Sequence, residues 1–341
     1  MNDFFKAVRG FLLEHLPNHK CSSEHTIRSY RQALNLFISY MTDKRGIALS
    51  QIDFKIIDKN LILGFLDWLE SERCCSASTR NQRLMALRTF FNYTGFIDCA
   101  NIALGLEAGK VPIKKQQPKI VQFLSENALE TLFMQPNPKN KTAYRNRFFM
   151  ILMYDTAARC GEMLRLKVSS LRLDIPYPVA YLHGKGNKVR TVPLLSKTVA
   201  HCKDYLERFH EGALPTSEDV LFYTKSHGEK HKMSEDTVAL FLNKYGAETE
   251  KVCAQMPSNL HPHMLRHTRA MHLYREGMPL PLLSEFLGHA DPNSTKIYAY
   301  ADVEMKRAAI QKADLLQSRT PSVEPIWLNN DDMIMKLAGL V

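Results

Sequence analysis

Four short motifs carry residue types that could bind and cleave a phosphate ester. In chain order they read TAARCGE, GKGNK, HMLRH and LGH, and a tyrosine follows the last motif nine positions later. Their candidate site residues are Arg159, Lys185, His263, Arg266, His289 and Tyr298. Together these side chains supply a hydroxyl nucleophile, two permanently charged guanidinium groups, an ammonium group and two imidazoles. That inventory suits phosphoryl transfer.

Each of these residues also has an ordinary structural explanation. Glu162, three positions after Arg159, could simply be its ion-pair partner on a helix. Lys185 could be a solubilising residue in an exposed hairpin turn, and Tyr298 and Tyr300 could pack one face of a helix. Taken singly, each motif is weak evidence, and only the joint inventory favours chemistry.

The histidines around position 263 also suggest a metal site, because His263 and His267 are one helical turn apart. No glutamate lies between them as in a HExxH motif, and Arg266 would repel a cation. The sequence therefore favours phosphate contact by His263 and Arg266 over metal binding. His267 could instead be a buried hydrogen-bonding residue.

The order and spacing of the motifs resemble those of the tyrosine recombinase and phage integrase family, especially its Xer-like branch. All of the family's ordered motifs fall between about Ser125 and Ala309, and they match the six candidate residues one by one. Two positions depart from the family pattern. Ala157 replaces the usual glycine before the first arginine, and Tyr300 stands where Xer-like proteins often have a histidine. Motif spacing favours Tyr298 over Tyr300 as the nucleophile.

This resemblance implies a covalent mechanism of DNA cleavage. Tyr298 would attack the scissile phosphate, forming a DNA 3′-phosphotyrosyl bond and a free 5′-hydroxyl. Arg159 and Arg266 would bind the nonbridging oxygens, since guanidinium groups stay charged and present paired donors. Lys185 would protonate the leaving 5′ oxygen.

The remaining site residues would assist this step. His263 could take part in proton transfer involving the tyrosine, His289 could donate to a phosphate oxygen, and Glu162 is interpreted as a structural orienting residue. Neither a metal ion nor another cofactor is needed, because arginine and lysine supply the positive charge. The resemblance also implies a homotetramer that brings together two DNA duplexes carrying recombination sites.

The elements that must position these residues are mainly helical. Hydrophobic periodicity and serine N-caps predict four helices in the first hundred residues: Asp3–Leu16, Ser23–Lys44, Asp58–Glu72 and Ser76–Tyr93. Val179–Leu194 instead has β-branched residues around a glycine turn, which predicts a two-stranded hairpin. The expected fold is mainly α with a small β-sheet: an N-terminal helical DNA-clamping, SAM-like domain and a mixed α/β tyrosine-recombinase catalytic domain.

Further helices are predicted after the linker and after the hairpin. The expected ranges are Ser125–Gln135, Asn140–Tyr154, Ser196–Phe209, Ser234–Cys253, Met264–Glu276, Pro281–Leu287 and Asn293–Leu315. Gly277 and Gly288 are expected at helix C-caps, where a positive φ is often required.

The predicted domain boundaries follow changes in composition. We expect a core-DNA-binding domain at 1–107, a basic linker at 108–121, a catalytic domain at 122–315 and a C-terminal tail at 316–341. The linker contains two prolines and four lysines, so it is either a solvated connection or a basic strap across a DNA backbone. Asp331 and Asp332 predict the start of an apolar helix that docks either on its own domain or on a neighbouring subunit.

Bulk composition is consistent with a DNA-binding protein and argues against other classes. The 341 residues carry a formal charge of +10, which favours a polyanionic partner. No apolar run is long enough to cross a bilayer, and the N-terminus lacks the features of a signal peptide, so we expect a cytoplasmic protein without a membrane role. The seven cysteines form no CxxC pair, which argues against a disulfide framework or a zinc ribbon.

Two other functions share most of these features. A type IB topoisomerase-like enzyme would also use a tyrosine nucleophile in a cationic pocket, but it would relax a single duplex. A noncatalytic DNA-binding regulator would use the same helices and charge without covalent chemistry. Motif spacing favours a site-specific recombinase, and it leaves open whether the reaction integrates, excises or resolves DNA.

Overall fold

The computed structural model describes residues 2–115, 121–184, 188–289, 291–301, 307, 310–311 and 330–340, without the side chains of 300 and 301. The chain divides into two compact units, Met1–Lys119 and Ile120–Val341. The division falls inside the segment expected to be the linker. None of the helices in the described ranges is long and apolar enough to span a membrane.

The N-terminal unit is helical throughout its described part. Its α-helices are α1 (Asp3–Gly10), α2 (Glu24–Ser39), α3 (Lys59–Ser71), α4 (Ala77–Ile97) and α5 (Ile102–Lys110). Helix α1 continues directly as a π-helix at Phe11–His19, and α2 does so at Tyr40–Lys44. Single 3-10 turns lie at Leu49–Gln51, Phe54–Ile56 and Cys99–Asn101. The four predicted helices are confirmed, whereas α5 was not predicted.

Local capping and an aromatic core explain why these segments fold as helices. The hydroxyls of Ser23 and Ser76 accept hydrogen bonds from the first turns of α2 and α4, as predicted. Helix α4 packs against α2, α3 and α5. The core contains completely buried phenylalanines at Phe4, Phe11, Phe37, Phe65, Phe90 and Phe91. Each contributes about 1.5–3 kcal/mol of hydrophobic stabilisation.

The first half of the expected linker is attached to the N-terminal unit. The amide of Asn81 donates to the carbonyl of Lys114 at 2.8 Å and accepts from its N–H at 3.1 Å. Arg88 donates to the carbonyls of Ala108 and Gly109 at the end of α5. Residues 108–115 are therefore held against α4, whereas residues 116–120 lie outside the described ranges. A strap across DNA is still a prediction.

The C-terminal unit combines helices with two small sheets. Its helices are α6 (Glu126–Met134), α7 (Lys141–Thr156), α8 (Cys160–Arg165), α9 (Ser196–Phe209), α10 (Glu235–Glu250), α11 (Pro262–Arg275), α12 (Leu280–Leu287) and α13 (Lys296–Ala301). Single 3-10 turns lie at Val168–Ser170 and Pro292–Thr295. Most of the predicted helices are present with bounds shifted by a few residues. The predicted helix Asn293–Leu315 begins instead with the 3-10 turn, and much of its later part lies outside the described ranges.

The strands of this unit form antiparallel pairs. One sheet has the order β1 (Leu171–Arg172), β2 (Val179–His183) and β3 (Val189–Pro193), and the other pairs β4 (Tyr223–Ser226) with β5 (Glu229–Lys232). The β2–β3 hairpin was predicted, and its register places Leu182 opposite Arg190. The second hairpin was not predicted, because its β5 strand, EKHK, is exposed at every position and has no apolar alternation.

Two hydrophobic clusters hold the C-terminal unit together. The larger one includes Phe148 of α7, whose ring stacks on Tyr205 with centroids 4.5 Å apart. The smaller one contains Ala157, Ala270, Met271, Leu283, Leu287 and Tyr298. It joins α7, α11, α12 and α13, and it therefore brings together the segments that carry most of the candidate site.

A separate C-terminal helix, Asp331–Leu337, begins where the two aspartates predicted. The side chain of Asn330 caps it by accepting from the N–H of Met333. Its apolar side chains at Ile334, Met335 and Leu337 are exposed. Docking of this helix on its own domain or on a neighbouring subunit is still a prediction.

Candidate functional site

The turn between α7 and α8 provides the anchor of the site. Helix α7 ends at Ala157, which has φ +47° and ψ +34°, and Arg159 then forms the N-cap position of α8. This left-handed conformation costs a residue with a Cβ roughly 1–2 kcal/mol relative to glycine. Glycine, which the motif resemblance leads us to expect at this position, would avoid that cost.

Arg266 of α11 connects this turn to the end of α12. Its Nη1 donates to the carbonyl of Ala157 at 2.6 Å, and its Nη2 donates to the carbonyl of Leu287 at 2.7 Å. Both acceptors lie at helix C-termini, where the helix dipole favours a cation. The Arg266 side chain is buried, so the fold fixes its position before any ligand binds.

Glu162 binds two further arginines. Its Oε1 accepts from Nη1 of Arg159, and its Oε2 accepts from Nη1 of Arg190, both at 2.8 Å. Glu162 is only 2% exposed, whereas Arg159 is 37% exposed. Although burial acts in the opposite direction, Arg190 and Arg159 lower the pKa of the Glu162 carboxyl overall. The geometry agrees with the interpretation of Glu162 as an orienting residue.

Arg159, Arg190 and Arg266 form an arginine cluster with an excess of positive charge. Glu162 binds two of these three guanidinium groups, and Arg266 binds only backbone carbonyls among the hydrogen bonds described, so positive charge exceeds negative charge in this partly buried region. Burial, together with nearby Arg159 and Arg190, lowers the pKa of Arg266 to about 9. Because the fold forces like charges together, a bound anion would relieve their repulsion.

The two histidines of the motifs lie beside this cluster. Gly288 ends α12 with φ +63°, as predicted for a C-cap, and His289 follows with its Nδ1 2.8 Å from Thr295 Oγ1. Burial, followed by the charges of the cluster, lowers the pKa of His289 to about 4. Burial and then Arg266 also lower the pKa of His263, in the first turn of α11.

Tyr298 of α13 is completely buried in the smaller hydrophobic cluster. Its hydroxyl lies 2.9 Å from Nδ1 of His267. Burial raises the pKa of Tyr298 to about 12, although Arg266 and Arg159 act in the opposite direction. A tyrosine without exposed surface cannot contact a DNA phosphate, so attack by the predicted nucleophile would require a shift of α13.

Two predicted positions cannot be located. Lys185 lies outside the described residues, as does the side chain of Tyr300. The flanking hairpin is described: the N–H of Gly184 donates to the carbonyl of Lys188 at 2.7 Å. A Cβ added to Gly184 would lie 3.5 Å from Glu162 Oε1. The residues that flank the hairpin turn therefore lie close to Glu162 and the arginine cluster.

Sequence reasoning missed the part played by Arg190, and it left the partner of His267 open. Strand alternation could have indicated Arg190, because it is two positions from Val192, which is buried on β3. His267 was interpreted only as a buried hydrogen-bonding residue, and it contacts the hydroxyl of Tyr298. Within the described ranges, no group of three or more His, Cys, Asp or Glu residues is arranged to hold a metal ion.

We expect acidification to destabilise the protein in a histidine-dependent way. Burial, followed by His263 and Arg266, lowers the pKa of His267 to about 4, which matches the value for His289. Unfolded histidines titrate near pH 6.5, so between pH 6.5 and 4 the unfolded state binds more protons. Stability present above pH 6.5 is therefore lost as the pH falls toward 4. For the two residues together, the loss is about 3 kcal/mol after allowance for solvent screening.

Urea denaturation between pH 7 and 4.5 measures this effect. The double variant His267→Gln/His289→Gln is expected to lose less stability than wild type over the same interval. His227 is exposed, so the His227→Gln control should follow the wild-type curve. Equal pH slopes for wild type and the double variant would show that the two buried imidazoles do not cause the loss.

Comparison with known proteins identifies the family. The model of the phage integrase family matches residues 122–305, and the model of the phage integrase N-terminal SAM-like domain matches residues 11–94. The chain belongs to the phage integrase family.

Individual relatives cover most of the chain. Tyrosine recombinase XerC of Bacillus pumilus is 28% identical over 306 residues, which are 86% of this chain and 92% of the relative. Tyrosine recombinase XerA of Pyrococcus furiosus is 26% identical over 316 residues, 92% of this chain and 97% of the relative. A crystal structure of the XerH site-specific recombinase bound to its difH substrate matches with a TM-score of 0.63 and 24% identity. That match covers 86% of this chain and 81% of the XerH chain, and it shows the fold.

The family match confirms the main conclusions drawn from the motifs. The chain is a tyrosine recombinase, an enzyme of site-specific DNA recombination, with the expected helical SAM-like domain and mixed catalytic domain. Its individual site residues and domain boundaries are still predictions.

Proposed function

We propose that the chain cleaves and rejoins duplex DNA through a covalent link to Tyr298. The tyrosine oxygen would form a bond to the scissile phosphorus while the bond to the 5′ oxygen breaks, leaving a 3′-phosphotyrosyl end. The tyrosine proton would pass to a neutral imidazole, and Lys185 would give a proton to the leaving oxygen. Rejoining would reverse both transfers, because the covalent link preserves the energy of the phosphodiester.

The arginine cluster is the observation that carries this proposal. Arg159 and Arg266 would bind the nonbridging oxygens, where negative charge must be held during the transfer. The low pKa of His289 leaves its imidazole neutral near pH 7, so it would act by hydrogen bonding to a phosphate oxygen and not as a second cation. His263 would take part in transfer of the tyrosine proton. His267 already contacts the tyrosine hydroxyl.

We also propose that four protomers act on two DNA duplexes that carry recombination sites. Both the XerH structure and the Tn1549 transposon integrase structures contain DNA, which supports a duplex substrate for this chain. The exposed apolar side chains of the helix Asp331–Leu337 support its exchange between protomers. A cytoplasmic location is part of the proposal, because the substrate is DNA.

A two-site plasmid assay tests this function against the topoisomerase alternative. The protein would be incubated with a supercoiled plasmid that carries two copies of its recombination site, in buffer containing EDTA. We expect joining of the two sites, detected as products of new length, and we expect EDTA to leave the yield unchanged because arginine supplies the charge stabilisation. Relaxation of supercoils without any joined product would refute the recombinase proposal and favour the topoisomerase.

A further inference from the structure

Arg190 of strand β3 belongs to none of the four motifs, yet it contacts the segments that carry them. Its Nη1 donates to Oε2 of Glu162 at 2.8 Å. Its Nη2 lies 3.4 Å from the carbonyl of Ala157, which also accepts from Arg266. The Arg190 side chain is 12% exposed, so these contacts are made largely out of water.

Gly288 provides a third contact for the same side chain. A Cβ added at this position would lie 2.9 Å from Cδ of Arg190, so a larger residue would displace the arginine. The carbonyl of Gly288 accepts from Nη2 of Arg159 at 3.2 Å, and His289 follows directly. Arg190 therefore lies against the turn that places both Arg159 and His289.

The sharing of Glu162 determines how Arg159 is held. Oε1 accepts from Nη1 of Arg159, whereas Oε2 accepts from Nη1 of Arg190 and from the backbone N–H of Arg159. A carboxylate can otherwise bind one guanidinium through both oxygens. Because Arg190 binds Oε2, Arg159 makes one side-chain contact with the carboxylate and retains other donors for an anion.

We propose that Arg190 is a positioning residue that orients Arg159 toward the scissile phosphate by dividing Glu162 between the two arginines. This inference rests on the proposed function, in which Arg159 binds a nonbridging oxygen. Arg190 acts through Glu162 and does not itself contact DNA. An arginine that merely fastened β3 to α8 would instead stabilise the fold without affecting how charge on the phosphate is balanced.

A neutral scissile linkage separates these two roles. In a methylphosphonate, a methyl group replaces one nonbridging oxygen, so the linkage carries no charge and depends less on a correctly placed cation. Single-turnover release of the 5′-hydroxyl strand would be measured at saturating protein on suicide duplexes with either linkage. The proteins are wild type, Arg190→Met, Arg190→Lys, Arg159→Ala and, as a matched control, Arg172→Met, which changes an exposed arginine of β1 in the same sheet.

We expect Arg190→Met to cleave the phosphate about 100-fold more slowly than wild type, the usual scale when a remote substitution misplaces a reacting group by about 1 Å. On the methylphosphonate the deficit should shrink to about fivefold or less, because little negative charge is left to stabilise. Arg159→Ala should recover in the same way, Arg190→Lys should be intermediate on phosphate, and Arg172→Met should match wild type on both substrates. Each variant is compared with itself on two linkages, so a reduced folded fraction cancels from the ratio.

The outcomes distinguish this inference from the function on which it rests. If Arg159→Ala recovers on the methylphosphonate and Arg190→Met is equally slow on both linkages, Arg190 is only structural and the inference is wrong. If Arg159→Ala does not recover either, the assignment of Arg159 to the phosphate fails, and the proposed function fails with it. Selective recovery of both variants supports both statements.

Discussion

Tyr298→Phe is expected to abolish the covalent protein–DNA complex while leaving affinity for the recombination site within about twofold of wild type. The substitution removes only the hydroxyl oxygen that forms the bond to phosphorus, and no other group can replace a nucleophile at that position. The lost hydrogen bond to His267 costs about 0.5–1.5 kcal/mol of stability, which is too little to unfold a domain of this size. Covalent capture on a suicide duplex, read on a denaturing gel, measures the result directly.

Tyr300→Phe provides the matched control, because it removes the same atom two positions along α13. We expect this variant to form the covalent complex at a rate within about threefold of wild type, since motif spacing assigns the nucleophile to Tyr298 and most single substitutions outside the reacting groups have small effects. A covalent complex with Tyr298→Phe, or its loss with Tyr300→Phe alone, would show that the nucleophile is assigned to the wrong tyrosine. Absence of any covalent complex from wild type on its own recombination site would favour a noncatalytic regulator.

The burial of Tyr298 also bears on how its hydroxyl would be activated. In the free protein the hydroxyl is enclosed by α11, α12 and α13 and contacts His267. Burial keeps its pKa at about 12, so the oxygen is protonated and a poor nucleophile there. Movement of α13 toward the arginine cluster would both expose the hydroxyl and surround it with cations that lower its pKa. Activation and exposure would then be one event.

The fold class predicted from the sequence is confirmed, whereas the roles of the site residues are still predictions. Arg159, Arg266 and His289 were assigned from sequence, and the structure brings them together at the ends of α7 and α12. Their partners were harder to predict, because the carbonyls of Ala157 and Leu287 become acceptors only after distant helices pack. No property of the sequence near those two residues indicates that Arg266 binds them.

Several fold elements also lack a local signal. Pro17 lies inside the π-helix Phe11–His19, although proline usually marks the end of a helix. Helix α5 was not predicted and its last three residues were assigned to the linker, yet Arg88 and Asn81 fasten the end of this helix and the next residues to α4. In both cases tertiary contacts override the preference of the local sequence.

Arg266→Met is expected to slow cleavage about 1000-fold while changing thermal stability little. Catalysis loses a guanidinium that would hold the developing charge, and single charge-stabilising donors contribute factors of 10²–10³ or more. The change in the free energy of unfolding is expected to be small because two effects of the substitution oppose each other. Hydrogen bonds to the carbonyls of Ala157 and Leu287 are lost, at about 1.5–3 kcal/mol for charged donors. The substitution also removes a buried cation whose pKa is lowered to about 9 by burial and by Arg159 and Arg190, and relief of that penalty is of similar size.

Arg145→Met is the control that makes this balance visible. Arg145 is also buried and donates to the carbonyl of Tyr223 at 2.9 Å. Burial lowers its pKa, but the neighbours that influence it are tyrosines, which act in the opposite direction. Its loss should therefore cost about 2–4 kcal/mol of stability with no compensating relief of like-charge repulsion, while cleavage per folded molecule stays near wild type.

Thermal unfolding and single-turnover cleavage of both variants test this expectation. A fall of more than about 10 °C in the Tm of Arg266→Met, as large as that of Arg145→Met, would mean that Arg266 chiefly supports the fold. A small change in Tm with slow cleavage for Arg266→Met, beside a large fall in Tm with normal cleavage for Arg145→Met, would give the opposite conclusion. The fold would then tolerate repulsion among three arginines because the reaction uses their charge.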